Sequence, residues 1–237
     1  MTRAQAKESA TTVANAVAES VQYQGRKASR QGSEQRRQAI LDAALRIIVR
    51  EGVRAVRHRA VAAEAGVPLS ATTYYFKDIN DLITDTFALF VERSAAHMAR
   101  FWSSTQVLLQ EQVSRLDGSA DARRRLADEI ARVAVEYVRH QLLTRRDHLL
   151  AEHAFQQEAL LNPRLHDLVR AHRQILLHGV KQFFEVLGSQ QPEQDATLLT
   201  AIILRMEYQA LLDGVEHLDN DGMLAILKRY MHLVLGL

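Results

Sequence analysis

Ala62-Ala-Glu-Ala-Gly-Val67, followed by Tyr74-Tyr-Phe-Lys77 and Asp81-Leu82, is the stretch on which the fold of this chain turns. The spacing predicts a short helix from His58 to Ala65, with Val61, Ala62 and Ala65 inward, and a tight turn at Gly66. A residue with a side chain would be strained at the positive φ such a turn needs. A third helix is expected from Pro68 to Phe76, because proline is tolerated in a first helical turn. Upstream, Ile40, Ala43, Ala44, Ile47 and Ile48 recur at helical spacing from Glu34 onward, and Gly52 ends that stripe. An amphipathic helix followed by two short helices across a glycine turn makes a helix-turn-helix, whose second short helix enters the major groove of DNA.

Beyond Lys77 a long helix is expected from Asp81, capped by Asn80, with Leu82, Ile83, Phe87, Phe90 and Val91 on its buried side and running past Trp102. Further helices are predicted at 121–144, 147–160, 164–187, 194–217 and 222–235, separated at Gly118, Asn162-Pro163, Gly188 to Pro192 and Asn220 to Gly222. No β alternation or internal repeat interrupts them. The fold class is therefore all-α: a three-helix head at 33–80 and a larger helical body at 81–237. Residues 1–32 read as a mobile basic arm ending in Arg26, Lys27 and Arg30, either without a role or reaching into a minor groove.

The 237 residues are 47% hydrophobic and 24% charged, a globular balance. The absence of cysteine excludes disulfides, thiolate metal sites and cysteine nucleophiles. No apolar run reaches the roughly 18 to 20 residues of a membrane helix, and the N-terminus lacks a signal-type apolar core, so no membrane partner and a cytoplasmic, nucleoid-associated location are expected. Residues 1–80 hold 13 Lys/Arg against 7 Asp/Glu, whereas residues 81–237 hold 17 against 21. A basic first third on a mildly acidic remainder suits a chain whose head meets a polyanion.

Catalysis is not expected, since no HExxH, phosphate-binding glycine loop or Gly-x-Ser-x-Gly elbow occurs. His148 and His153 are five apart, and His166, His172 and His178 six apart, so neither set shares a helical face, and no metal site or cofactor is expected.

The segment Arg37–Leu82, with Glu51-Gly52 closing its first helix, resembles the DNA-binding domain of the tetracycline-repressor (TetR) family. The resemblance implies that the third helix is the recognition helix. Leu69, Ser70, Ala71, Thr73, Tyr74 and Tyr75 are its DNA-contact candidates, Phe76 anchors it, and Lys77 sits over the backbone. His58 and Arg59 would open the second helix against phosphates. Thr72 and Thr73 depart from the commonest relatives, so no operator sequence can be transferred. The resemblance also implies a homodimer on a palindromic double-stranded operator, joined through the last two helices, with Leu199, Ile202, Ile203, Met206, Leu227, Tyr230, Met231 and Val234 as interface candidates. An effector pocket in the body would draw on Trp102, Tyr137, His140, His153 and Phe155. The implied function is a repressor released by an unidentified small-molecule effector. The rival reading is a DNA- or protein-binding helical adaptor with no effector, told apart by whether the body encloses a cavity.

Overall fold

A computed structural model of the chain describes residues 23–26, 31–114 and 119–237. Among these residues every regular element is helical. In chain order they are α1 (Gln31–Glu51), α2 (His58–Ala65), α3 (Leu69–Tyr75), α4 (Ile79–Ser114), α5 (Ala120–Thr144), α6 (Arg146–Ala159), α7 (His166–Val186), α8 (Pro192–Asp213) and α9 (Asn220–Val234). Short 3-10 turns stand at Val53–Ala55, Pro163–Leu165 and Val215–His217. Most of the arm at 1–32 and the predicted break at Gly118 lie outside the described residues.

Element ends differ from the sequence expectation by up to four residues, at α4, α8 and α1 as follows. Helix α4 begins at Ile79, not Asp81, because the Asp78 carboxylate accepts the Asn80 backbone N–H at 3.0 Å and so supplies the cap expected of Asn80. Those hydrogen bonds hold the Asp78 carboxyl below the usual carboxylate range. Helix α8 stops at Asp213, not 217, where Gly214 takes φ 91° and a 3-10 turn follows. Helix α1 starts at Gln31, three residues before Glu34.

The chain divides into two compact units: one includes the described residues up to 97 with 150–173, the other 98–149 with 174–237. In the first, α1 buries Ile40, Leu41, Ala43, Ala44, Ile47 and Ile48. Val61 and Ala62 of α2 and Phe76 beyond α3 are buried with them. Arg46 and Arg50 of α1 grip Glu64 of α2 at 2.7 and 2.9 Å, and the two guanidiniums pull its carboxyl down to about 2. Deeper in the same unit, Phe155 stacks flat on Phe87 with ring centres 4.3 Å apart.

Asp85, fully buried on α4, organises this unit. Its carboxylate accepts the backbone N–H groups of Gln24 and Gly25 at 2.6 and 2.9 Å and Nη2 of Arg37 at 2.8 Å. Burial pushes the carboxyl up, and the three donors pull against that.

In the second unit α5, α8 and α9 pack around Val138, Leu142, Phe184, Leu199, Leu227 and Met231. Asp128 of α5 ties down α9 through Lys228 at 3.2 Å and His232 at 2.9 Å. The Trp102 indole of α4 lies directly on Gly179 of α7: a Cβ built there would stand 2.0 Å from Nε1, so only glycine permits the approach. Among the described residues no helix is long and apolar enough to cross a membrane.

Asp85→Ala leaves the 5%-exposed Arg37 guanidinium without its buried counter-charge and is expected to cost about 3–5 kcal/mol of stability, read from urea unfolding. A loss below about 1 kcal/mol would show that the unit does not depend on it. The Glu64 carboxyl is expected to titrate near pH 2 by NMR. Because its folded value is depressed, the clamp between α1 and α2 is intact above the unfolded carboxylate range and is lost as pH falls through the folded value.

Candidate nucleic-acid interface

Helices α2 and α3 are held at a fixed angle by the turn between them. Gly66 adopts the left-handed conformation at φ 65°, and the Val67 N–H reaches back to the Ala62 carbonyl at 3.0 Å, which closes α2 with a Schellman-type bond. Pro68, in extended conformation, then starts α3.

The seven residues of α3 divide cleanly into two faces. Thr72 and Tyr75 point inward, and Phe76 follows them into the core. Leu69, Ser70, Thr73 and Tyr74 are exposed and Ala71 is half-buried. Small and hydroxylated side chains on the outer face allow close approach to base edges and phosphate oxygens. The Thr73 hydroxyl reaches only weak back-bonds to the Leu69 and Ser70 carbonyls at 3.4 and 3.3 Å, which it can exchange for a ligand.

Tyr75 is placed differently from its outer-face neighbours. It is 5% exposed, and its hydroxyl is hydrogen-bonded to the Ser33 hydroxyl at 2.7 Å, so it braces α3 against α1 from the inside. A period of 3.6 residues puts 72 and 75–76 on one side and 69, 70, 73 and 74 on the other. Tyr74 is half-exposed, and its ring carries the Arg26 guanidinium at 4.4 Å, a cation–π contact. The Arg26 backbone N–H also donates to the Tyr75 carbonyl at 2.9 Å. Arg26 therefore sits on the end of α3.

At the start of α2, Arg59 is exposed and His58 half-buried, with its Nδ1 lacking a partner among the described residues. Lys77 is exposed just beyond α3. Arg54 and Arg57, which the motif reading did not single out, are exposed too. Arg57 is the N-cap of α2 without a side-chain capping bond, so its guanidinium is not used for that task; it donates to the Val56 carbonyl at 2.8 Å.

The proposed effector residues fall in both units. Trp102 and Tyr137 each contact Phe101, with ring centres 5.0 Å apart. His140 is exposed one turn along α5 and bonds Thr144. His153 is half-buried, and burial lowers its pKa. Phe155 is fully enclosed. An open cleft of about 370 Å³ lies elsewhere in the second unit, between Arg139 and Leu143 of α5 and the Val215–Asn220 segment.

Of the interface candidates, Leu199, Met206, Leu227, Tyr230 and Met231 are interior to the unit, and Ile202, Ile203 and Val234 pack partly against that core. The Tyr230 hydroxyl donates to the Asp195 carbonyl at 2.6 Å. The apolar side chains that α8 and α9 leave in solvent are Leu198, Tyr208 and Leu212, and Ile226 and Leu233.

Two family descriptions match the chain. Bacterial regulatory proteins of the tetR family match residues 40–86, and the tetracyclin repressor-like C-terminal domain matches residues 121–233. A TetR-family member from Streptomyces coelicolor A3 is 27% identical, with 83% of this chain and 98% of that one covered at a TM-score of 0.56. The multidrug binding protein EbrR, complexed with ethidium, is also 27% identical over 83% and 98% at 0.56. A putative transcriptional regulator from Saccharomonospora viridis in complex with choline, at 23% identity, 84% and 96% coverage and a TM-score of 0.59, shares the fold. No curated protein matches.

Alanine at Arg59 or Lys77 is expected to weaken DNA binding evenly across sequences and to lower the salt slope by about one per lost phosphate contact. Thr73→Ala is expected to change sequence preference instead. Competition titrations at several salt concentrations separate the two effects, and an unchanged slope for Arg59→Ala and Lys77→Ala would remove them from the interface.

Proposed function

Because this chain belongs to the TetR family of bacterial transcriptional regulators, we propose that it is a homodimeric repressor that binds a palindromic operator and is released from it by a small-molecule effector. The observation that carries the DNA half of this reading is the two-faced α3. Its inner side chains are committed to the core, whereas its outer ones, Leu69, Ser70, Thr73 and Tyr74, stand in solvent.

Dimerisation would use the exposed strip of α8, Leu198, Ala201, Arg205, Tyr208 and Leu212, which recur every three to four residues along one helical face, together with Ile226 and Leu233 of α9. A two-fold axis through such a face presents two recognition helices to successive major grooves.

The effector half rests on the aromatic group in the second unit. Phe101, Trp102, Tyr137 and Phe183 cluster there, and the buried Trp102 Nε1–H and His178 Nε2 lack hydrogen-bond partners among the described residues. An unsatisfied buried polar group costs about 1–3 kcal/mol, which a ligand acceptor or donor recovers. Planar aromatic compounds suit this lining, and the likeness to a protein complexed with ethidium points the same way. Induction then follows from tighter effector binding to the dimer shape that does not fit the operator.

The test is fluorescence anisotropy of the full-length chain on duplex DNA selected from a random pool, without and with aromatic cations such as ethidium. Binding that is tight, salt-sensitive and lost in Thr73→Ala/Tyr74→Ala supports the regulator. Release by a compound that also quenches Trp102, the single tryptophan of the chain, supports the effector. Selective binding that no compound relieves would favour an adaptor.

A further inference from the structure

We propose that Arg26 is a contact to the phosphate backbone of DNA, a guanidinium seated on the Tyr74 ring and delivered to the end of α3 by residues 23–26. The inference rests on the DNA-binding reading above and adds a residue from outside the helix-turn-helix to it.

Residues 23–26 are fastened at each position. The Tyr23 hydroxyl donates to the Glu92 carboxylate of α4 at 2.6 Å, and the Tyr23 ring carries the Arg37 guanidinium at 4.6 Å. The backbone N–H groups of Gln24 and Gly25 donate to the two oxygens of the buried Asp85 carboxylate at 2.6 and 2.9 Å. A Cβ at Gly25 would stand 2.6 Å from Cε1 of the fully buried Phe76 ring, so this close approach needs glycine. All of these groups belong to one compact unit.

The segment ends on α3. The Arg26 N–H donates to the Tyr75 carbonyl at 2.9 Å, one of the last-turn acceptors that a helix cannot satisfy internally. That bond fixes the backbone from which the Arg26 side chain leaves. Its guanidinium stands 4.4 Å from the centre of the Tyr74 ring, and both residues are exposed. A cation–π contact orders the side chain yet does not neutralise its charge, as a carboxylate partner would. The planar fork of N–H donors matches the oxygens of a phosphodiester, and a side chain already seated on a ring loses little freedom when it binds one. Lys77, exposed just beyond α3, puts a second cation at the same end. Recognition helices read bases with residues near their N-terminus, whereas Arg26 meets α3 at its last turn, which assigns it to the backbone and not to base edges.

The test is competition anisotropy of the full-length chain on its selected duplex at several salt concentrations, with Arg26→Ala, Arg26→Lys and Tyr74→Leu beside the parent. Arg26→Ala should weaken binding about tenfold at low salt and lower the salt slope by about one, on every sequence alike. Arg26→Lys, which keeps the charge, should restore the slope. Arg26→Ala combined with Tyr74→Leu should cost less than the sum of the single changes, because each removes the same stacked cation. Melting curves establish that these variants of exposed residues are folded. A parent chain that selects no duplex overturns the DNA reading and this inference with it. Selective binding by the parent with unchanged affinity and slope in Arg26→Ala overturns this inference alone. So does an altered sequence preference at an unchanged slope, which would move Arg26 to the base edges.

Discussion

The buried carboxylate of Asp85 is the constraint on which the head depends. A carboxylate at zero exposure is tolerable only with its lone pairs filled, and they are filled by two backbone N–H groups of residues 24 and 25 and by Arg37. One group on α4 thereby holds both α1 and the segment leading to it. The consequence reaches α3, since Arg26, next in the chain, donates its backbone N–H to Tyr75 and lays its guanidinium on Tyr74. Ionic pairing in the interior thus positions a cation beside the face that would meet DNA.

Helix α3 itself is seven residues long, too short to be stable alone. Its rigidity comes from neighbours: the Gly66 turn, the Tyr75–Ser33 hydrogen bond and the enclosed Phe76 ring. The last two use residues turned into the core, which leaves the outer face free to vary without cost to the fold. That division explains how Thr72 and Thr73 can depart from commoner family residues. Thr72 satisfies its buried hydroxyl on the Leu69 carbonyl at 2.8 Å, and Thr73 stands in solvent.

The other unit is built on closer steric fits. Trp102 seats on Gly179, and one turn further Gln106 and Gln182 join side chains at 2.9 Å, which sets the spacing of α4 and α7 there. Asp128, Lys228 and His232 fasten α9 on α5 at its polar edge, and the hydrogen bonds from His232 and Lys228 hold the Asp128 carboxyl below its usual range. Apolar packing, not these partly exposed pairs, supplies most of the stability.

Local residue patterns by themselves determined the helices and the motif. The stripe Ile40, Ala43, Ala44, Ile47, Ile48 and the breakers Gly52 and Gly66 act through neighbours within a few residues, so periodicity and backbone freedom reveal them without any tertiary contact. The same stretch carried the resemblance to the TetR family, to which the chain belongs. Which way a side chain finally points depended on partners far along the chain. Tyr75 turned inward because Ser33 waits there, and Leu227 and Met231 became interior because α5 covers them.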